Sequence, residues 1–538
     1  MIKNVQILDC TLRDGGRIID CKFDDEVIGN VTRDLEDAGI DIIEIGFLRS
    51  KELVDYNGNS TFFNEPGQME RFIHYNGKSN ALYVAFIDFD MFDFDKLEKC
   101  NDNSIKGLRV GFTKQQYDLK LDEIKKSLIK VKSLGYKLFI QSVNSLAYSD
   151  RELLELIEIV NEIEPYSFGI VDTYGAMYLD DISHYYSLVD HNLDKNICID
   201  IHSHNNFQSS FAFAQEIVRL SDGKRNVILD ATLNGMGKCA GNLNTELIVD
   251  YLNRKKSADY NLDKILDIID RYLEPIKQTH FWGYSIPAFM AGIYKSHPNN
   301  IIYLTEKYRL NSKDIKYIIS GIDEKTRQKY DYDNIQRIYR EYNDNRFIDT
   351  ENINYLCERL SGQEVLMIAP GSSVKKYSDE INNYISEKNP IVISINFIPL
   401  NLNCDFHFYA NPIHWGKVCK DINRKTCILS SNIHDHVSNA IVVDYSSLIV
   451  EDSVLYDNSA IMLLNLLKKV GVKKISIAGF DGLVGDNNNY VDKSFPNTNG
   501  RLSVDDTNRE VKKLFIQFKN KTKNDICIEF ITPSIYVN

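Results

Sequence analysis

The chain of 538 residues has no CxxC pair, no excess of positive charge and no apolar run near the roughly 18 residues that a membrane span requires. Each absence removes a class of function. Ten cysteines scattered without paired spacing read as reduced thiols, neither a disulfide framework nor a zinc site. With 63 Lys+Arg against 76 Asp+Glu, the net charge of -13 repels a phosphate backbone and argues against nucleic acid as a partner. Membranes are not expected as partners either. The N-terminus, MIKNVQILDC, runs straight into a strand-like segment without a charged and apolar leader, so a cytoplasmic location is expected.

What is present is length and repetition. At about 150 residues per domain the chain predicts three units, or two if one is a barrel. Short β-branched runs at 5–9, 42–47, 82–87, 107–110, 137–142, 168–172, 197–202 and 227–231 alternate with longer segments of helical period. Eight such βα repeats are what a closed (β/α)8 barrel needs, and the first strand is followed by TLRDGG, which is not a dinucleotide fingerprint. The expected architecture is α/β: a TIM barrel over 1–257, a helical lid and connector over 258–360, and a Rossmann-like α/β domain over 361–538. Barrel chemistry sits on the loops beyond the carboxyl ends of the strands.

Those loops carry a candidate metal site. The seventh run ends in IDIHSHNN, where alternation along a strand puts His202 and His204 on one face. Asp14 lies just past the first strand in DCTLRDGG, and Asn242 lies in the loop after the eighth, LDATLNGMGKCAGN. Barrel closure makes strands seven, eight and one neighbours, so Asp14, His202, His204 and Asn242 converge on one point. That mixed nitrogen and oxygen set suits a divalent ion, Mn2+ or Mg2+, with Co2+ or Zn2+ as further candidates.

The segments DCTLRDGG, IDIHSHNN and GMGKCAGNLNTE, with VDTYGAM before them, resemble the signatures of the DRE-type TIM-barrel metallolyases. This is the HMGL-like, pyruvate carboxyltransferase-like group that holds 4-hydroxy-2-oxovalerate aldolase, hydroxymethylglutaryl-CoA lyase and the isopropylmalate and homocitrate synthases. The likeness covers about residues 1–300 and is nearest to the aldolase. It implies metal ligation by Asp14, His202 and His204, with Asn242 a ligand or a neighbour, and it implies that Arg13 holds an enolate oxygen. Asp172 and Thr173, in the sixth-strand segment, are expected to line the substrate site.

The implied activity is that of a metal-dependent pyruvate aldolase, a lyase making or cleaving a carbon–carbon bond through a pyruvate-type enolate. A divalent ion and a guanidinium at the developing oxyanion supply the stabilisation such a step needs. Glu44 would orient Arg13 or a metal water, and Arg109 would hold a substrate carboxylate; the other reading of each is an ion pair within a barrel layer. Related aldolases carry a histidine where this chain has Arg17, which is assigned to substrate binding because it is no ordinary base near neutral pH. The base is then sought in HFWGYSIPAFMAGIYKSHPNN, at His280, Tyr284, Tyr294 or His297, or in a metal-bound water, with His297 preferred. The alternatives are a Claisen-type synthase condensing an acyl-CoA, and a barrel that binds metal and ligand without turnover. The expected partners are a small 2-oxo acid and an aldehyde, and the resemblance implies homo-oligomer contacts.

From residue 364, EVLMIAPGSSVKKYSDEI reads as strand, turn and amphipathic helix. Gly371, Ser372 and Ser373 would offer backbone N–H groups to a phosphate, and they would equally serve as an ordinary capped turn. APGSS, SIN and GFDG resemble the 6-hydroxymethylpterin pyrophosphokinase-like and sialyltransferase-like Rossmann domains. That resemblance implies a nucleotide or nucleotide-sugar as ligand, and a bifunctional protein linked to 2-oxo acid sugars or polysaccharide.

Overall fold

A computed structural model describes residues 4–74, 81–307, 312–330, 332–343, 347–419, 422–433, 439–450, 453, 455, 457–484, 489–491 and 503–537. It divides into two compact units, 1–302 with 319–330, and 303–318 with 331–538. The helical stretch 258–360 is shared between them.

In the first unit, β1 (Val5–Asp9), β2 (Ile42–Leu48), β4 (Leu82–Asp88), β5 (Gly107–Thr113), β6 (Lys137–Val143), β7 (Ser167–Asp172), β8 (Cys198–Ser203) and β9 (Val227–Ala231) form a parallel barrel. β1 closes it by pairing with both β2 and β9. A two-residue strand, β3 (Phe62–Phe63), adds to the outer end of β2 and was not expected from sequence. It is admitted there by Gly46, whose Cβ would fall 2.2 Å from the Thr61 carbonyl oxygen.

Side-chain alternation sorts the barrel interior into layers. Leu8, Ile42, Val84, Phe139, Cys198 and Ile228 make an apolar floor. One repeat higher along their strands come Glu44, Arg109, Gln141, Asp200 and Asp230, a buried charged layer. His202 follows Asp200 by two on β8 and rises to the mouth. Opposite faces of the same strands pack on the surrounding helices, as with Ile43, Ile140 and Ile201 in the large apolar core. Among the described residues no helix is long and apolar enough to cross a membrane.

The second unit holds an open parallel sheet of seven strands, β10 (Glu364–Ile368), β11 (Ile391–Ile395), β12 (Phe406–Tyr409), β13 (Cys427–Ser430), β14 (Ile441–Val443), β15 (Lys474–Ala478) and β16 (Cys527–Phe530). Their order is β14-β13-β12-β11-β10-β15-β16. The chain winds outward from β10, then returns to its other side at β15, so the switch point lies between these two strands.

Candidate metal centre and barrel mouth

Asp14 sits in the turn leaving β1 and is almost wholly buried. Its Oδ2 lies 3.7 Å from His204 Nε2 and 3.9 Å from His202 Nε2, separations that leave room for an ion between the groups. The three ligand atoms fall within 4.8 Å of one another, and the two imidazoles stand nearly perpendicular with centroids 5.1 Å apart. Asn242 donates from Nδ2 to Asp14 Oδ2 (3.0 Å) and to the Met236 carbonyl (3.0 Å). Its Oδ1 is buried without a hydrogen-bond partner among the described residues. A buried, unsatisfied amide oxygen beside a carboxylate and two imidazoles is the donor set a divalent cation completes. Gly237 makes room for it, since a Cβ there would fall 2.4 Å from Asn242 Nδ2.

Electrostatics prepare the same set. Burial holds both His202 and His204 down to about 4, so each imidazole is neutral and able to ligate. Burial would raise Asp14, but Arg13, the two histidines and Arg17 together hold its carboxyl well below the usual range. A second cluster, Cys10, His202 and Asp230, has similar spacing. There burial pushes the Cys10 thiol well up, and its Sγ donates to the Ala231 carbonyl at 3.4 Å, which keeps it from serving as a thiolate ligand.

Beneath this cluster, Asp230 accepts from His202 Nδ1 at 2.9 Å. Arg109 donates to Asp230 (2.5 Å), to Asp200 (3.1 Å) and to Glu44 (3.2 Å), with its side chain wholly buried. Arg109 is therefore committed to three carboxylates in the charged layer. The substrate carboxylate expected at Arg109 meets no accessible guanidinium, because β5 places this residue one layer below the mouth. Glu44 Oε2 accepts from Arg13 Nε at 2.6 Å. Arg13 Nη1 donates to Asp14 at 2.7 Å, and Nη2 has no hydrogen-bond partner among the described residues.

At the rim, Arg17 lies 3.4 Å from Asp14 Oδ1 and 3.5 Å from Asp88 Oδ2. His297 faces this edge. Its ring is held at about 4 by burial and then by the nearby charges of Lys238 and Arg17, its Nδ1 accepts from the Asn299 amide at 3.2 Å, and it packs on Tyr330 at 4.8 Å. Tyr284 is more than half exposed, and no contact brings it to the cluster. Asp172 accepts from the Ala176 and Met177 amides, at 2.8 and 3.1 Å, and Thr173 accepts from the Asn144 amide at 2.8 Å. Both hold the turn after β7 and are engaged by backbone where substrate contacts were expected. Asp230, Asp88, Arg49 and Lys238 were not singled out in the sequence. Of these, Asp230 and Lys238 lay in a segment already marked, LDATLNGMGKCAGN.

In the second unit, Gly371 donates its amide to the Gly479 carbonyl at 2.9 Å, and Ser373 donates its amide to Asp481 Oδ2 at 2.8 Å. Ser373 Oγ also binds Asp481, and Ser372 Oγ lies 3.5 Å from the same carboxylate. The phosphate expected on Gly371, Ser372 and Ser373 meets a protein carboxylate in its place. A cavity of about 200 Å3 opens at the carboxyl ends of β10, β11, β12 and β15, lined by Asn396, Asn411, Tyr445, Asn458 and Phe480 among others.

Comparison with known proteins follows the barrel. Residues 107–271, from β5 onward, match the HMGL-like family model. The 4-hydroxy-2-oxovalerate aldolase of Moorella thermoacetica is 24% identical over 324 residues, 58% of this chain and 90% of that protein. The oxaloacetate decarboxylase of Mycobacterium tuberculosis is 25% identical over 263 residues, 48% of this chain and 74% of that one. The solved HMG-CoA lyase of Brucella melitensis is 14% identical, with a TM-score of 0.41, over 51% of this chain and 99% of its own.

Proposed function

Taking the HMGL-like barrel as premise, we propose that this protein is a divalent-metal-dependent carbon–carbon lyase of the aldolase kind, acting through the enolate of a 2-oxo acid. The observation that carries the reading is the convergence of Asp14, His202, His204 and the unsatisfied Asn242 Oδ1 beside Arg13. A divalent ion bound there supplies Lewis-acid polarisation of a 2-oxo acid carbonyl. Arg13, fixed by Glu44 and Asp14, keeps Nη2 for the oxygen on which charge develops, and its position is set before reaction. Because the Asn299 amide donates to His297 Nδ1, the ring proton lies on Nε2. His297 thus offers a hydrogen bond to an aldehyde or alkoxide oxygen, which suits departure or entry of the aldehyde half.

The aldolase named above acts, by its name, on 4-hydroxy-2-oxovalerate, and 4-hydroxy-2-oxo acids are the first substrates to test. Release of pyruvate, coupled to lactate dehydrogenase, is expected with Mn2+ or Mg2+ and is lost with EDTA. No pyruvate from any 4-hydroxy-2-oxo acid, with a folded and metal-loaded sample, would contradict the aldolase reading. A Claisen-type synthase shares the enolate and would instead consume an acyl-CoA.

For the second unit, the cavity at the switch point supports a ligand site, and a bifunctional protein handling a nucleotide-linked sugar is one reading of it. With the Gly371 turn engaged by Asp481, this reading seats the ligand's phosphate elsewhere in the cavity. Calorimetry with CMP, UMP and their sugar conjugates tests this, and no binding of any of them would rule the reading out.

A further inference from the structure

The barrel mouth holds more cations than the metal chemistry uses. Arg13 is engaged by Glu44 and Asp14. Arg17, Arg49 and Lys238 remain. Arg17 and Arg49 both reach Asp88, and Arg17 also approaches Asp14, whose carboxylate is already shared with Arg13 and the metal site. Arg17 and Arg49 are thus left with one carboxylate of their own and Lys238 with none, before any metal charge is added.

Two of them are visibly unsatisfied. The Arg49 side chain is only 8% exposed, and its Nη1 is buried with no hydrogen-bond partner among the described residues. Lys238 is half-buried in the loop after β9, and its ammonium makes no ion pair or hydrogen bond among the described residues. It lies close enough to Arg17 for repulsion between them to disfavour its charge, after burial itself. A buried guanidinium N–H and an unpaired ammonium lose hydration unless an anion replaces it.

The arrangement is also rigid. The guanidinium carbons of Arg17 and Arg49 each lie 4.6 Å from the centroid of the Phe47 ring, which holds both planes against an aromatic floor. His297, disfavoured in its charged form by both Lys238 and Arg17, stands beside them.

We propose that Arg17, Arg49 and Lys238 form a subsite for a second oxyanion, a carboxylate or phosphate carried on the aldehyde half of the substrate. This rests on the enolate reading of the barrel and narrows its substrate class. The aldehyde is an anionic one, held by charge and bidentate hydrogen bonds, and small neutral aldehydes bind poorly.

The test titrates inorganic phosphate and, separately, malonate into the full-length, Mg2+-loaded protein by calorimetry, using wild type, Lys238→Met and Arg49→Lys. Lys238 has no partner to orphan, and circular dichroism checks the fold of both variants. At least one probe should bind the wild type, with affinity at least tenfold weaker in each variant. Tighter phosphate points to a phosphorylated aldehyde, tighter malonate to a carboxylated one. Failure of both probes to bind would overturn the subsite. So would equal binding to all three proteins, because an anion held by the metal alone is indifferent to Lys238. Deuterium exchange into pyruvate by the wild type separates the two claims. Exchange without variant-sensitive anion binding sinks the subsite only, and variant-sensitive binding without exchange sinks the enolate reading only.

Discussion

His202 gives its Nδ1 proton to Asp230 across 2.9 Å, and that bond decides which ring nitrogen faces Asp14 and His204. Asp230 is itself held by Arg109 at 2.5 Å. A line from Arg109 through Asp230 to His202 thus fixes the tautomer of a proposed metal ligand from inside the barrel. Asp230→Asn should weaken divalent-metal affinity about 10- to 100-fold. Equilibrium dialysis with Mn2+ measures this, and wild-type affinity in the variant would show that Asp230 does not orient the ligand.

Metal binding should release few protons. At about 4, His202 and His204 are already neutral at pH 6. Two imidazoles at their ordinary value would release roughly 1.5 protons there. Calorimetry in buffers of different ionisation enthalpy gives the number directly, and release of more than one proton would contradict the buried, neutral pair. The matching stability term has a definite sign. The folded values lie below 6.5, so the stabilisation is complete above that pH and is lost as pH falls towards 4. Asp172 and Asp200, raised by burial to about 7, oppose it by losing stabilisation as pH rises from 3.8 to 7. The proton count therefore isolates the histidines better than a melting curve does.

Arg13→Gln removes the guanidinium at the oxyanion while leaving all four proposed ligands. Turnover should fall about a hundredfold or more, with Mn2+ affinity changed only a few-fold. Parallel loss of both would instead make Arg13 part of the metal site.

Arg109→Met leaves Glu44, Asp200 and Asp230 facing one another without a cation. Breaking a buried charge network by removing one partner is strongly destabilising, about 3–5 kcal/mol. Urea unfolding reads it, and a loss under about 1 kcal/mol would mean that protonation of Asp200 and Asp230 already neutralises the layer.

The eight strands were legible because each is a short β-branched run between helices, and closure then followed from their number. The clustering of Asp14, His202 and His204 was legible because the two histidines alternate on one strand and Asp14 follows another directly. Asp230 was hidden: one carboxylate in LDA faces either side equally well until the barrel register is known. Arg49 and Lys238 stand 189 positions apart in sequence, so their meeting at Arg17 had no local pattern. Arg109 was placed at the mouth because a strand end alone does not say in which layer a side chain falls. The Gly371 turn looked like a phosphate seat because the carboxylate filling it comes from Asp481, 108 residues later.

The central claim, enolate formation at the Asp14, His202, His204 and Asn242 site, is tested most directly by proton NMR of pyruvate in deuterium oxide. With Mg2+ and wild-type protein the methyl signal should decay as its protons exchange, and the decay should vanish with EDTA and in His204→Ala. A methyl signal that persists with every divalent ion tried, in a folded sample, would contradict the account.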